Sequence, residues 1–345
     1  MGLVYVLSIW FQIPFSAFIS LSILSIITIM GFASFGHLVN DFFDIEQDKT
    51  AGKSNLFQNK GIGEIFLFFS IALSAMLIPW AFLPNNSISI GLIIFQITLF
   101  FLYSMPYIRL KEKGIVALIV DALYAHVVPS VLATYTFMLA AEKQVEILPI
   151  AALIVWQMLI GLRNILLHQF DDMEADRKAG NYNYVASLTT SQFHNTIHYL
   201  KIAELTSAIL FFSIIALQYW AFWSVGLLCA LSLIIYIEKL DKKFPYYNWK
   251  YFPNFVYESW LCIIVLCLLT ALNIFYLSVF LFHLVLFEWS ALVVMLKSTF
   301  HFAKRILSLI VNYAIFYSLL LFGINLRKER MSAWEYFKKR RAQSS

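Results

Sequence analysis

Two acidic clusters stand out in a chain otherwise poor in charge. The first, NDFFDIEQD, carries Asn40, Asp41, Asp44 and Asp48, with Glu46 between them. The second, HQFDDMEADRKAG, carries Asp171, Asp172, Glu174 and Asp176, followed by Arg177 and Gly180. Asp41, Asp44 and Asp48 stand at i, i+3 and i+7, and Asp172 and Asp176 at i and i+4. On helices each set shares one face. Carboxylates on one face repel unless a cation joins them. Hard oxygen ligands of this kind suit Mg²⁺, which usually takes one or two carboxylates together with phosphate oxygens. A calcium loop starting at Asp44 fails, because its sixth position is Lys49 instead of Gly and its twelfth is Asn55 instead of Glu.

A third stretch, YSMPYIRLKEKG, supplies the opposite charge. It carries Tyr103, Ser104, Pro106, Arg109, Lys111 and Lys113. Its Arg and Lys can bind anionic oxygens that a metal leaves free.

The elements that must position these groups follow from composition. Of 345 residues, 61% are hydrophobic, 17% aromatic and 13% charged. Soluble domains carry about 45–50% apolar and about 25% charged residues. An ordinary cytosolic enzyme, a disordered chain and a disulfide scaffold are therefore excluded. Cys229, Cys262 and Cys267 lie in apolar runs without a CxxC and read as small buried hydrophobes. The net charge of +5 is too small an excess to call for a nucleic-acid partner. No basic n-region precedes the first apolar run, so no cleavable signal is expected.

Apolar runs of about 18 residues or more read as spanning helices. Ten candidates fall at 14–39, 62–83, 88–107, 115–141, 147–168, 197–218, 220–238, 254–276, 277–296 and 306–326. The expected fold class is all-α, a multi-pass transmembrane bundle of 8–10 spans. Lys and Arg concentrate in the odd-numbered loops, which the positive-inside rule assigns to the cytoplasm. Both acidic clusters and the basic stretch lie in odd loops and so open on one side, where two acidic faces with Mg²⁺ between them would clamp a diphosphate. An even number of spans would place the basic tail outside. Either one late candidate does not span, with 277–296 suspect for its His283 and Glu288, or the tail is an exception. That tail, with Arg327, Lys328, Arg330, Lys338, Lys339, Arg340 and Arg341, predicts contact with anionic membrane lipid.

At these residues the chain resembles the UbiA superfamily of intramembrane prenyltransferases. Asn40-Asp41-x-x-Asp44-x-x-x-Asp48 is similar to the family's first aspartate motif, and Asp172-x-x-x-Asp176-x-x-x-Gly180 to its second. Tyr103-Ser104-x-Pro106-x-x-Arg109-x-Lys111 is similar to the basic loop between them. The resemblance covers roughly 14–276. It implies a ring of nine transmembrane helices with a lipid-facing opening, capped by cytoplasmic loops. It implies that Asp41, Asp44, Asp48, Asp172 and Asp176 hold Mg²⁺ and the diphosphate, with the aspartates Asp41, Asp44, Asp172 and Asp176 central to catalysis. It also implies that Arg109 and Lys111 bind diphosphate oxygens and that Asn40 supports the first motif. The partners implied are a prenyl diphosphate and a hydrophobic acceptor, aromatic or lipid-like.

The chain departs from the family in places. Residues 1–13 are too short to span, so the family's first helix is missing or vestigial. His168-Gln169 stand where many members have Asn-Asp, and Asn181-Tyr182-Asn183-Tyr184 follow Gly180. Both changes flank the acceptor side. The domain reading is 1–276 for the membrane domain and 277–345 for a hydrophobic extension with a basic tail.

Intramembrane polar residues complete the candidates. Arg163 and Asn164 stand about one turn before His168 and are expected to point into the cavity and bind substrate. Asp121 and His126 form either an internal hydrogen-bonded pair or an acceptor-site base. The competing classes are a transporter with an acidic vestibule and a catalytically inactive lipid-binding membrane protein. Against the first, the acids stack at one rim and no inverted repeat is visible. Against the second, all five aspartates are present.

Overall fold

The computed structural model describes residues 2–144, 146–179, 184–240 and 252–288; the side chains of 51, 174–179, 235, 238–240 and 255 lie outside that description. All of its regular elements are helical among the described residues. The chain divides into two compact units, Met1–Phe280 and Leu281–Ser345. The account below concerns the first.

Among the described residues seven helices are long and apolar enough to cross a membrane: Phe15–Thr50, Ile62–Ala81, Ser87–Ser104, Ile115–Ala140, Ile147–Met173, Thr190–Ala216 and Phe252–Leu272. Two shorter apolar helices, Phe222–Ile234 and Tyr276–Phe287, accompany them. In chain order the helices are α1 (Gly2–Trp10), α2 (Phe15–Ala51), α3 (Ile62–Leu77), α4 (Ser87–Ser104), α5 (Ile115–Ala122), α6 (Val128–Ala140) and α7 (Ile147–Ala179). They continue with α8 (Thr190–Ala216), α9 (Phe222–Leu240), α10 (Phe252–Phe255), α11 (Leu261–Leu272) and α12 (Tyr276–His283). The protein is thus a multi-pass membrane bundle. The ninth and tenth sequence candidates run into, or lie wholly in, residues outside the description.

The nine residues of α1 reach only about 14 Å at 1.5 Å per residue, far short of a hydrocarbon core of about 30 Å. Its side chains from Val4 to Trp10 are buried and join Phe211, Phe212, Phe222 and Trp156 in the main apolar core. Within lipid such a core is held by close packing more than by expulsion of water. Large apolar side chains on the outside, such as Phe66, Leu67 and Ile71 of α3, form the surface expected against lipid tails. Cys229 and Cys262 are buried as expected, whereas Cys267 is exposed on that apolar exterior.

Helix length positions the site. The 37 residues of α2 extend roughly 55 Å and the 33 of α7 roughly 50 Å, well beyond the hydrocarbon core. The acidic clusters occupy the overhanging last turns of both. Helix α2 stops at Gly52, whose left-handed backbone (φ +65°) closes the end with its N–H on the Asp48 and Lys49 carbonyls. Helix α4 stops at Ser104 because Pro106 drives Met105 into an extended conformation. Close approaches set the spacing between helices. A Cβ on Gly31 of α2 would lie 2.3 Å from the Met76 backbone nitrogen of α3, and one on Gly161 of α7 would lie 2.6 Å from Ala122 Cα of α5.

The span from Ile115 to Ala140 carries a π-turn at Leu123–Val127. There the Val128 N–H bonds the Leu123 carbonyl, one residue further back than in an α-helix. By the same register the Tyr124 carbonyl would receive its bond from residue 129, which is proline and has no N–H. Gln96 of α4 supplies the replacement, its Nε2 donating to the Tyr124 carbonyl at 2.6 Å.

Candidate functional site

The ends of α2 and α7, the α4–α5 connection and the π-turn surround one cavity of about 1000 Å³. That is the upper end of the usual range for small-molecule sites, roughly 300–1,000 Å³. Its lining includes Asn40, Asp41, Asp44 and Asp48 from α2, Tyr103, Arg109 and Lys111 from α4 and the loop after it, and Asp172 from α7. At about 100° per residue, His37, Asp41, Asp44 and Asp48 fall within roughly 60° of the α2 circumference. All four line the cavity. Asp176 lies on α7 one turn past Asp172, and its side chain is outside the description.

Asp44 is the centre of the rim. It is 7% exposed. Its Oδ1 accepts from Arg109 Nη2 at 2.8 Å, and its Oδ2 pairs with Lys111 Nζ. Arg109 also donates to Gln47 and Glu112. Lys111 Nζ donates to Asn40 Oδ1 at 2.9 Å, and Ser104 Oγ reaches the same oxygen at 3.3 Å. Burial lowers the Lys111 pKa below that of a free lysine, against the pull of Asp44, which raises it. Arg109 itself sits in the left-handed region (φ 43°, ψ 58°), which a non-glycine residue rarely adopts and which clusters at functional sites.

The other two aspartates of the first motif are tied by a loop. Asn55 Nδ2 donates to Asp48 Oδ2 at 2.7 Å and to the Asp41 carbonyl at 2.8 Å. The Leu56 N–H approaches Asp41 Oδ2 at 3.4 Å. The segment after Gly52 therefore folds back over the acidic face. On α7, His168 Nδ1 stands 3.8 Å from Asp172 Oδ2, and both His168 and Gln169 line the cavity. Gln169 Oε1 also accepts from the Val185 N–H at 3.4 Å.

Among the described residues no three acidic, histidine or cysteine side chains converge closely enough to enclose a metal ion alone. The available set is carboxylate oxygen on two facing walls with ammonium and guanidinium between them. Such a set fits a hard divalent cation whose coordination is completed by the oxygens of a bound anion. Deeper in, the lining turns to Ile29, Phe32, Phe100, Pro129 and Ile165, with Gln96, Asp121 and Tyr124 as polar exceptions. The Tyr103 and Tyr124 rings meet edge-on at 5.1 Å, and Phe100 packs on Tyr124 at the same distance.

Arg163 departs from its expected place. It is fully buried and lines no part of the cavity. Its Nε and Nη2 donate to the two Glu204 oxygens at 2.5 and 3.1 Å, its Nη2 also to Asn254 Oδ1 at 2.5 Å, and its Nη1 to Asn164 Oδ1 at 2.9 Å. Arg163 stands nine residues before Asp172, so at about 100° per residue its side chain leaves α7 on the opposite face, where Glu204 of α8 meets it. There the fork ties α7, α8 and α10 together. Asn164 Nδ2 stands 3.2 Å from His126 Nε2, so His126 belongs to this network, while Asp121 pairs with Tyr124 at the cavity.

Residues absent from the sequence reading also line the cavity: His37, Gln47, Lys53, Gln96 and Tyr124. Two carried a legible signal. His37 is one turn before Asp41 on the same face, and Gln96 is the one amide inside the apolar run 88–102.

The model of the UbiA prenyltransferase family matches residues 2–261. Among solved structures, a UbiA homolog from Archaeoglobus fulgidus bound to DMAPP and Mg²⁺ has a TM-score of 0.53 at 16% identity, over 78% of this chain and 94% of that one. A UbiA homolog from Archaeoglobus fulgidus bound to GPP and Mg²⁺ has a TM-score of 0.52 at 17% identity, over 81% and 95%. At these identities the likeness speaks for the fold. No curated protein matches the chain in a sequence comparison. The family match, over three quarters of a chain with this helical fold, makes the conclusion direct: the chain belongs to the UbiA prenyltransferase family.

Proposed function

We propose that the chain transfers a prenyl group from a prenyl diphosphate to a hydrophobic acceptor, with Mg²⁺ as cofactor. One observation carries this reading: a single cavity joins a rim of paired carboxylates and cations to an apolar depth. A prenyl diphosphate has those two halves. The Archaeoglobus fulgidus relative, whose structures hold DMAPP or GPP with Mg²⁺, supports it.

Asp41, Asp44, Asp48 and Asp172, with Asp176 by its motif position, would hold the metal. When bound, Mg²⁺ draws charge from the leaving diphosphate. Arg109 and Lys111 donate charge-assisted hydrogen bonds to diphosphate oxygens. Asn40 and Asp44 hold Lys111 in place for that task. Tyr103 and Tyr124 present ring faces and edges beside the allylic carbon, where a quadrupole steadies positive charge. Phe32 and Phe100 keep water from the cation. Arg163 takes no part in substrate binding; it braces the helix that carries Asp172. The Lys and Arg distribution favours the cytoplasmic side for this rim, the plasma membrane in a bacterium.

The test is Mg²⁺-dependent binding of geranylgeranyl diphosphate to the detergent-purified chain. Binding that requires Mg²⁺ in the wild type and is lost in both Asp41→Ala and Asp172→Ala is the expected result. Metal-independent binding, or variants that bind normally, would overturn the reading.

A further inference from the structure

Gln96 is 1% exposed and lines the cavity midway along α4. Its Nε2 is committed to the Tyr124 carbonyl, which fixes the orientation of the amide because a carbonyl can only accept. Its Oε1 has no hydrogen-bond partner among the described residues. A buried amide oxygen left unpaired keeps its desolvation penalty uncompensated, so this atom asks for a donor from whatever occupies the cavity. The Tyr124 hydroxyl donates to Asp121 Oδ1, and Asp121 and Tyr124 line the same cavity as Gln96. The π-turn connects the two features. It holds Tyr124 where its carbonyl grips Gln96 and its hydroxyl grips Asp121. The rim aspartates lie on other helices, α2 and α7, so Asp121 is a carboxylate outside the aspartate motifs.

We propose that Gln96, Tyr124 and Asp121 form the acceptor subsite, and that it takes a hydrophobic molecule bearing a hydroxyl group. The inference rests on the prenyl-transfer reading above. The acceptor O–H donates to Gln96 Oε1 on arrival. In the transfer, the allylic C–O bond of the donor breaks with its electron pair leaving on diphosphate. A lone pair of the acceptor oxygen forms the new C–O bond. The acceptor O–H turns from Gln96 Oε1 to the Tyr124 oxygen and gives up its proton there as the Tyr124 proton passes to the Asp121 carboxylate. The products are a prenyl ether, diphosphate and a protonated Asp121, which then loses its proton to water.

The experiment uses the full chain in detergent, loaded with Mg²⁺ and geranyl S-thiolodiphosphate, a donor that does not ionise readily. Binding of 4-octylphenol is compared with that of 4-octylanisole, which keeps the shape and lacks the O–H. The wild type is expected to bind the phenol at least tenfold more tightly. Gln96→Leu should bring the two affinities within twofold of each other, and Gln96→Glu should retain the preference. Loading with geranyl thiolodiphosphate should stay within twofold of wild type in every variant. With geranyl diphosphate as donor, Asp121→Asn should form geranyl ether at least 100-fold more slowly while keeping phenol binding.

Equal binding of phenol and anisole by the wild type, or binding of neither, overturns the subsite. Phenol bound without any ether formed by the wild type overturns the proton transfer. Failure of the loading step itself is a failure of the prenyl-transfer reading, recognisable because it precedes addition of either probe.

Discussion

Asp44 and Arg109, 65 residues apart in the chain, meet at 2.8 Å where the overhanging end of α2 faces the loop after α4. Lys111 joins the same carboxylate from the other side. One buried acid therefore holds two cations at the cavity rim.

This arrangement predicts unequal tolerance at the two cations. Arg109→Lys keeps the charge but loses the planar fork that serves Asp44, Gln47 and Glu112 together. Prenyl diphosphate affinity should fall roughly tenfold, on the order of 1.4 kcal/mol. Asp44→Asn should weaken Mg²⁺-dependent binding further, since it removes the metal's carboxylate and the anchor of both cations. Isothermal titration of both variants checks the order.

Lys111 predicts the alkaline limit of binding. Burial disfavours its charged form, so its pKa is lowered from 10.5 even though Asp44 and Asp48 oppose the shift. Affinity for a prenyl diphosphate should then fall as pH rises through a value below 10.5, when the ammonium is lost. For folding the sign is opposite. Between the lowered pKa and 10.5 the unfolded chain binds more protons, so this residue's contribution to stability rises with pH there. Lys111→Arg should move the alkaline limb of the binding curve upward. An unmoved limb would assign the titration to another group.

The Arg163–Glu204 fork predicts a strong asymmetry between breaking and replacing it. Both side chains are fully buried. Glu204→Ala leaves the guanidinium without its counter-charge and should destabilise the chain by about 3–5 kcal/mol. The double variant Arg163→Met/Glu204→Leu should recover most of that loss, because an apolar pair needs no desolvation of charge. Thermal unfolding in detergent, followed by tryptophan fluorescence, measures both. A double variant no better than the single one would show that Asn254 and Asn164 depend on the guanidinium for more than its charge.

Gly31 predicts a packing limit. The added Cβ of Gly31→Ala would lie 2.3 Å from a backbone nitrogen of α3, where no flexible side chain can yield. Overpacking of this kind costs about 1–3 kcal/mol. Because α2 also carries Asp41, Asp44 and Asp48, the shift should reach the rim. Lower thermal stability together with weaker diphosphate binding is expected. Gly63→Ala, which meets nothing within 4 Å, is the control.

Much of the fold was legible because lipid makes the pattern coarse: an apolar run is a helix or it is nothing. Runs at 62–83, 88–107 and 115–141 correspond to observed helices within a few residues. Hydropathy failed where charged residues continue a helix. The run 14–39 is the apolar part of a helix that reaches Ala51, and 147–168 the apolar part of one that reaches Ala179. Helix α8 begins at Thr190, before the expected 197, behind a capping box of Thr189 and Gln192 that was visible in the sequence.

At the site, spacing on one helix face placed Asp41, Asp44 and Asp48 together correctly, since a helix fixes that geometry locally. The same rule, applied to α7, turns Arg163 away from Asp172. Nine residues before Asp172 is about 180° around α7, the face away from the cavity, but the partner of Arg163, Glu204, 41 residues away, is set only by tertiary packing. Gln96 was visible as the one amide of its apolar run, but its partner was not, because that comes from Pro129 withholding a bond from the Tyr124 carbonyl.

The left-handed backbone at Arg109 has a consequence for any attempt to improve this protein. The position most comfortable for glycine is held by the bulkiest cation available. A replacement that relaxes the turn discards the guanidinium, and a replacement that keeps a positive charge keeps the awkward turn. Loop stability and grip on the head group are therefore locked into one residue, and a single substitution that helps one will harm the other.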